Sequence, residues 1–225
     1  MAEPVLVTQW AVCGIATAAA RFVPVPMLDD IVREQALQLA VSRTLRAHDR
    51  DYSSDVLEPL WSDVETRGAI RRRLRATAMR MLLFPARKYV AIFGAVRGVP
   101  NDVMRVVLLA RTLDRRLAAG GLADPARAGE QARDIRHAVD EAIDGMDLRL
   151  LIAALSDGLS QGKELAGAAV AYAGRLIRPG AEPTLRPGGA VAAGAEKVAE
   201  VFDRPEIVQL LDRFDSHVDS ALATA

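Results

Sequence analysis

The sequence predicts an all-α protein, a bundle of about eight helices without a β-sheet. Of its 225 residues, 51% are hydrophobic but only 4% are aromatic, so small and aliphatic side chains must fill the core. Apolar residues recur at helical spacing, and no stretch alternates apolar and polar residues over the length of a strand. Proline, glycine and acidic residues stand where these helical segments begin and end.

The first helix is predicted within residues 4–20, a segment without charge. A secretory signal requires Lys or Arg ahead of its apolar run, and only Met1, Ala2 and Glu3 precede this one. A membrane span is disfavoured because the segment reaches about 26 Å as a helix, against about 30 Å of hydrocarbon. We therefore expect a buried core helix in a cytoplasmic protein that is not secreted, with membrane entry of the apolar N-terminal hairpin as the alternative.

The next helices follow from local signals. Asp29 and Asp30 favour a helix N-terminus, and the helical pattern then runs to His48 without proline or glycine. Its apolar residues fall on more than one face, which predicts neighbours on several sides. A short helical piece is expected up to Trp61, a helix from Ala69, and another from Pro85.

The second half of the chain carries similar signals. Asn101 is predicted as the N-cap of a helix over residues 102–119, which ends at two glycines. Asp124 and Pro125 begin a polar helix to about Ile143. A long apolar helix follows, from Asp147 over residues 147–177, with glycine interruptions.

Three regions are predicted from this pattern. Residues 1–177 form the main helical domain, and residues 178–189, rich in proline and glycine, form a loop or linker. Residues 190–225 form a C-terminal helical hairpin that packs on the main domain.

Catalytic and metal-binding motifs are missing from the sequence. His48, His137 and His217 lack the spacing of metal ligands, and no phosphate-binding loop, dinucleotide fingerprint or nucleophile elbow occurs. Cys13 has no cation within a helical turn, so we expect it to be buried and unreactive. The sequence predicts no cofactor, no metal and no catalytic residue; an enzyme with an active site dispersed along the chain stays open as an alternative.

Charge is distributed unevenly along the chain. The segment from Arg67 to Asn101, called the basic segment, has nine cations and no acid, while the rest has 20 cations against 29 anions. Its apolar stripe and opposing arginines are typical of a helix that meets anionic lipid. The alternative is neutralisation by acids of the 124–147 helix. Nucleic acid is disfavoured because the net charge of the chain is zero. The predicted anionic-surface residues are Arg67, Arg71, Arg72, Arg73, Arg75, Arg80, Arg87, Lys88 and Arg97.

A second candidate surface consists of small residues, which permit close helix approach. It predicts a homo-oligomer or a helical protein partner. Its residues are Gly158, Gly162, Ala166, Ala169 and Ala173.

Residues 16–48, ATAAARFVPVPMLDDIVREQALQLAVSRTLRAH, resemble a segment of bacterial domains of the YcjF and EcsC types, in which a proline-containing turn joins an Ala/Gly-rich helix to a long helix. Pro24, Pro26, Asp29 or Asp30, and Gln35 occupy the matching places. The resemblance implies a helical, often membrane-associated bacterial protein without catalytic residues to carry over. We therefore expect a non-enzymatic protein that associates peripherally with the inner membrane or an anionic partner; a soluble helical adaptor is the alternative.

Overall fold

The computed structural model describes residues 4–22, 28–53, 55–62, 98–160, 164–176 and 187–224. Within these ranges the chain is 82% helical, with eight α-helices and no strand, which confirms the predicted all-α class. Two single 3-10 turns also occur in these ranges, at Ala20–Phe22 and Glu58–Leu60. The helices are α1 (Pro4–Ala19), α2 (Leu28–Ala47), α3 (Val99–Ala118), α4 (Ala128–Gly145), α5 (Arg149–Ser160), α6 (Leu165–Leu176), α7 (Ala190–Phe202) and α8 (Pro205–Thr224).

Helix α1 forms the centre of the bundle. It packs against α2, α3, α6 and α7, and eleven of its sixteen residues are buried. Pro4–Phe22 is also the one helical stretch among the described residues that is long and apolar enough to cross a membrane, but 67% of the tested window is buried within the protein. The apolar surface of α1 therefore contacts the other helices, as expected for a core helix.

Two local features hold α1 against its neighbours. Gly14 allows a close approach to α3, since a Cβ atom there would lie 3.0 Å from the Cα atom of Val103. On α2, the buried Thr44 hydroxyl accepts a 2.9 Å hydrogen bond from Nε1 of Trp10 and donates one to the carbonyl of Ala40. Both polar groups are thus satisfied inside the core.

Helix α3 begins earlier than the sequence predicted. Its first residue is Val99, so Asn101 lies inside the first turn and the N-cap prediction is wrong. Pro100 is compatible with this turn because first-turn N–H groups have no partner within the helix. The preceding Gly98 has a φ of +105°, and its missing side chain leaves room for the guanidinium of Arg21.

An ion pair ties the end of α1 to the start of α3. Arg21 donates to both carboxylate oxygens of Asp102, with 2.9 Å between Nη2 and Oδ1. Hydrogen bonding to Asp102 raises the pKa of Arg21 above its usual value. Because Asp102 is buried, this bidentate pair also satisfies a carboxylate that would otherwise be costly to bury.

The second half of the chain surrounds this core. Helix α4 packs against α3 and α8, while α7 packs against α1, α5 and α6. The predicted long apolar helix is two helices, α5 and α6, and Gly158 lies inside α5 instead of interrupting it. Residues 161–163 and 177–186, with Gly162 and most of the predicted 178–189 loop, lie outside the described residues, as do the helices predicted from Ala69 and Pro85.

Candidate functional site

All nine cations of the basic segment lie at positions 67–97, outside the described residues. The acids predicted as their intramolecular partners can be located, because α4 and its flanks are described. Asp140 accepts hydrogen bonds from Arg105 at 3.1 Å and from Arg136 at 2.7 Å. Asp144 also pairs with Arg105, and the flanking Asp147 pairs with Arg149. Three of the acids predicted as partners, Asp140, Asp144 and Asp147, are therefore paired with arginines of the described part of the chain.

The small-residue surface is used within the chain. Ala166 is 3% exposed, and Ala169 and Ala173 are fully buried, on a helix that contacts α1, α2 and α7. Gly158 faces α7, with Cγ2 of Val201 3.6 Å from the position of a Cβ atom. Small side chains at these positions allow neighbouring helices of the same chain to pack closely. At its described positions, the predicted small-residue surface therefore packs against helices of the same chain, and an interface with a partner helix stays a prediction.

Cys13 lies at the centre of α1 and is fully buried. Burial raises the pKa of its thiol to about 12, and the charge of Arg43 opposes this shift in part. Tyr172 of α6 is also buried, and burial raises its pKa too. A thiol that stays protonated and out of contact with water is a packing group, not a nucleophile.

We expect Cys13 to be inert in the native protein. Ellman's reagent should react with the one thiol of the chain only after denaturant is added, because the reagent requires an accessible thiolate. In the unfolded chain Cys13 ionises above its usual pKa of 9.0, whereas in the folded chain its pKa is about 12. The free energy of unfolding should therefore decline as the pH rises from about 9 to 12. Rapid labelling of the native protein would contradict this assignment.

A groove of about 670 Å³ lies where the C-terminal ends of α2 and α3 approach α8. Charged side chains dominate its lining, and Leu6 of α1 also contributes to it. The other lining residues are Ala47, His48, Arg111, Asp114, Arg115, Ala118, Asp212, Asp215, Ser216 and Asp219. This groove, called the charged groove, is the strongest candidate site among the described residues.

A histidine–carboxylate pair lies in the charged groove. Nε2 of His48 is 2.8 Å from Oδ1 of Asp114, and the two side chains are 24% and 15% exposed. His48 follows the last residue of α2, and Asp114 lies on α3, 66 residues away. The sequence places His48 at the end of a predicted helix and without metal-ligand spacing, and no local spacing could have connected it with Asp114.

Two arginines of α3 reach across the charged groove to α8. Arg111 donates to Asp215 at 2.7 Å and 3.4 Å, and Arg115 donates to Asp219 at 2.9 Å. Nη1 of Arg115 is buried and 3.3 Å from Oδ1 of Asp215, but it makes no hydrogen bond. Nη1 is thus an ion-pair contact of Asp215 that is shielded from solvent.

The other two histidines lie elsewhere. His137 is exposed on α4, and His217 lines a smaller cleft of about 390 Å³ beside Met146 and Arg213. In the ranges that the structure describes, no group of three or more His, Cys, Asp or Glu side chains is arranged to hold a metal ion.

Comparison of the chain with protein families, with curated proteins and with solved structures found no match. The resemblance of residues 16–48 to the YcjF and EcsC types therefore stays a prediction, and the function must be argued from the charges and contacts of this chain.

Proposed function

We propose that the protein associates peripherally with an anionic lipid surface, the inner membrane, through the basic segment. Nine cations without an intervening acid provide a positive stretch of chain. Each cation near an anionic bilayer contributes about 1 kcal/mol of attraction, which decays within a Debye length. The arginines of such a helix would contact headgroups while its apolar stripe enters the interface.

The pairing of three acids in and beside α4 with arginines of the described ranges is the observation that carries this proposal. Neutralisation of the basic segment by the 124–147 region requires free carboxylates there. Asp140, Asp144 and Asp147 instead pair with Arg105, Arg136 and Arg149. With these three acids already paired, fewer carboxylates of the region are left for the nine cations, which supports an external anion as their partner.

The burial of α1 favours peripheral association over membrane insertion. Its apolar residues form the centre of the bundle, and Trp10 and Ile15 are at most 1% exposed. Extracting α1 into a bilayer would expose the apolar surfaces of the helices packed around it, which costs about 25 cal/mol per Å². The basic segment therefore provides the attraction without any loss of core packing.

Changing Arg71, Arg72, Arg73 and Arg75 together to glutamine tests the proposal. The substitution removes four charges and keeps residues with good helix propensity. We expect affinity for vesicles of phosphatidylcholine and phosphatidylglycerol to fall by roughly two or more orders of magnitude, measured by co-sedimentation at low salt. Binding of the unaltered protein should weaken as salt is added.

A matched control changes Arg46, Arg116, Arg133 and Arg213 to glutamine. These arginines lie in α2, α3, α4 and α8. Replacing them removes as many charges as the first variant does but leaves the basic segment intact. This control should lose little affinity. Equal loss in both variants would mean a general charge effect. Unchanged vesicle binding by the first variant, with a lowered unfolding midpoint, would show that the basic segment is neutralised within the chain.

A further inference from the structure

We infer that α4 and α8 form a layer that an anionic lipid surface releases from the rest of the bundle. The lipid headgroups replace aspartates of this layer as partners of three arginines on α3. These residues, called the α3 arginines, are Arg105, Arg111 and Arg115, and none belongs to the basic segment. The inference rests on the proposed lipid association and describes how that association changes the fold.

Helices α4 and α8 pack mainly on one another. Helix α4 packs more extensively against α8 than against α3, while α1, at the centre of the bundle, packs against α2, α3, α6 and α7. The 3-10 turn Glu58–Leu60 belongs with α4, because it packs more extensively on α4 than on α2, and Arg136 donates to the carbonyl of Leu60 at 3.0 Å. We call α4 and α8 the α4–α8 layer.

Ion pairs join the α4–α8 layer to α3. Each of the α3 arginines pairs with at least one aspartate of the layer, at nitrogen–oxygen distances of 2.7–3.3 Å. The pairs are Arg105 with Asp140 and Asp144, Arg111 with Asp215, and Arg115 with Asp215 and Asp219. The pairs of Arg105 are half-exposed, and exposed ion pairs are weak and screened by salt. The attachment of the layer to α3 therefore depends in part on charge.

Separation of the α4–α8 layer breaks no helix of the described ranges. Helix α4 lies between non-helical stretches at residues 119–127 and 146–148, and α8 follows a turn at Asp203 and Arg204. The first stretch contains Gly120 at a φ of +81°, a left-handed conformation that glycine adopts without strain. Proteins open locally in cooperative units of this size, at a lower free energy than global unfolding. The layer can thus open while α1 stays packed in the core.

An anionic surface binds the open state better than the closed state. In the closed state the α3 arginines contact aspartates, whereas in the open state they are free to contact lipid headgroups. A ligand shifts a conformational equilibrium by its difference in affinity for the two states, and these additional contacts supply that difference. A bilayer presents many headgroups at once, so it engages several arginines together, which a soluble anion does not. The basic segment brings the protein to the surface where this exchange of partners occurs.

Hydrogen exchange followed by mass spectrometry tests the inference on the unaltered protein. Without vesicles, amides of α4 and α8 should exchange at least about tenfold faster than those of α1, and faster still when salt is added. Vesicles of phosphatidylcholine and phosphatidylglycerol should accelerate exchange in α4 and α8 by a further factor of about ten and leave α1 unchanged. Vesicles of phosphatidylcholine alone, or inorganic phosphate at the same ionic strength, should leave all three helices unchanged.

Changing Asp140 and Asp215 together to asparagine weakens the attachment of the layer. Affinity for the anionic vesicles should rise by about tenfold, because the α3 arginines lose carboxylate partners and the open state becomes more populated. The matched control changes Asp134 and Asp212 to asparagine. It removes two charges from the same two helices, and neither carboxylate makes an ion pair within the described ranges. This control should gain much less affinity.

Binding to anionic vesicles without faster exchange in α4 and α8 would overturn the inference and leave the proposed function standing. Equal gains in affinity for the two double variants would also overturn it, as would equal exchange rates in α1, α4 and α8. A protein that does not bind the vesicles at all would refute the proposed function as well. The exchange measurements use the unaltered protein, so they decide the question even if a variant fails to fold.

Discussion

Replacing Trp10 with alanine should lower the free energy of unfolding by about 3–5 kcal/mol, the range for large aromatic residues removed from a core. Trp10 is 1% exposed at the centre of α1, where small residues predominate and none nearby can fill its volume. The change also leaves the Thr44 hydroxyl without the donor of a 2.9 Å hydrogen bond. Urea unfolding followed by circular dichroism measures the effect without depending on tryptophan fluorescence.

Val5→Ala on the same helix is the control for this prediction. Val5 is 66% exposed, so its truncation should change the free energy of unfolding by no more than about 0.5 kcal/mol. A third variant, Trp10→Phe, keeps most of the ring volume but cannot donate to Thr44, and should fall between the two. Similar losses for W10A and V5A would contradict a central position of α1 in the core.

Replacing Asp215 with alanine should lower the free energy of unfolding by about 2–3 kcal/mol, less than the usual cost of breaking a fully buried ion pair. Asp215 is 6% exposed, and its carboxylate accepts hydrogen bonds from the guanidinium of Arg111. Nη1 of Arg115 lies 3.3 Å from Oδ1 of Asp215. Without it, Arg111 loses its hydrogen-bond acceptor among the described residues. The arginine side chains are 21% and 34% exposed, so water offsets part of the loss.

Asp212→Ala is the matched control, one helical turn before Asp215 on α8. Asp212 is exposed, and its carboxylate makes no contact with a cation of the described ranges. Thermal unfolding of both variants should therefore show a lower midpoint for D215A and almost no change for D212A. Equal midpoints for the two would mean that the ion pairs between α3 and α8 add nothing to stability.

Much of the fold could be predicted because helix signals are local. The acids at 29 and 30, the apolar spacing of α3 and the pair of glycines after it each involve residues within a few turns of one another. The predicted helix over residues 102–119 is therefore close to the observed Val99–Ala118. The start of α3 was predicted too late because Asn101 is a preferred N-cap residue, whereas the residue before the helix is Gly98, at a φ of +105° and beside Arg21, which adjoins it only in the folded chain.

The spacing of the small residues along the sequence could not show which helix packs against them. Glycine and alanine at helical spacing predict close packing, but the spacing is the same whether the neighbour is a second copy or another helix of the same chain. The contact of Gly158 with α7 and the burial of Ala169 identify the neighbour as part of the chain.

By itself, the sequence determined the all-α class, the approximate position of helices within the described ranges, the buried character of residues 4–20 and the separation of charge between the basic segment and the rest. Each of these depends on composition or on spacing within a few turns. Only the tertiary structure decided that His48 meets Asp114 and that Arg111 and Arg115 reach Asp215. The packing of α2 on α3, and of α3 and α8 on α4, sets these contacts. They join residues separated by 66 and 104 positions, far beyond the range over which helical periodicity carries information.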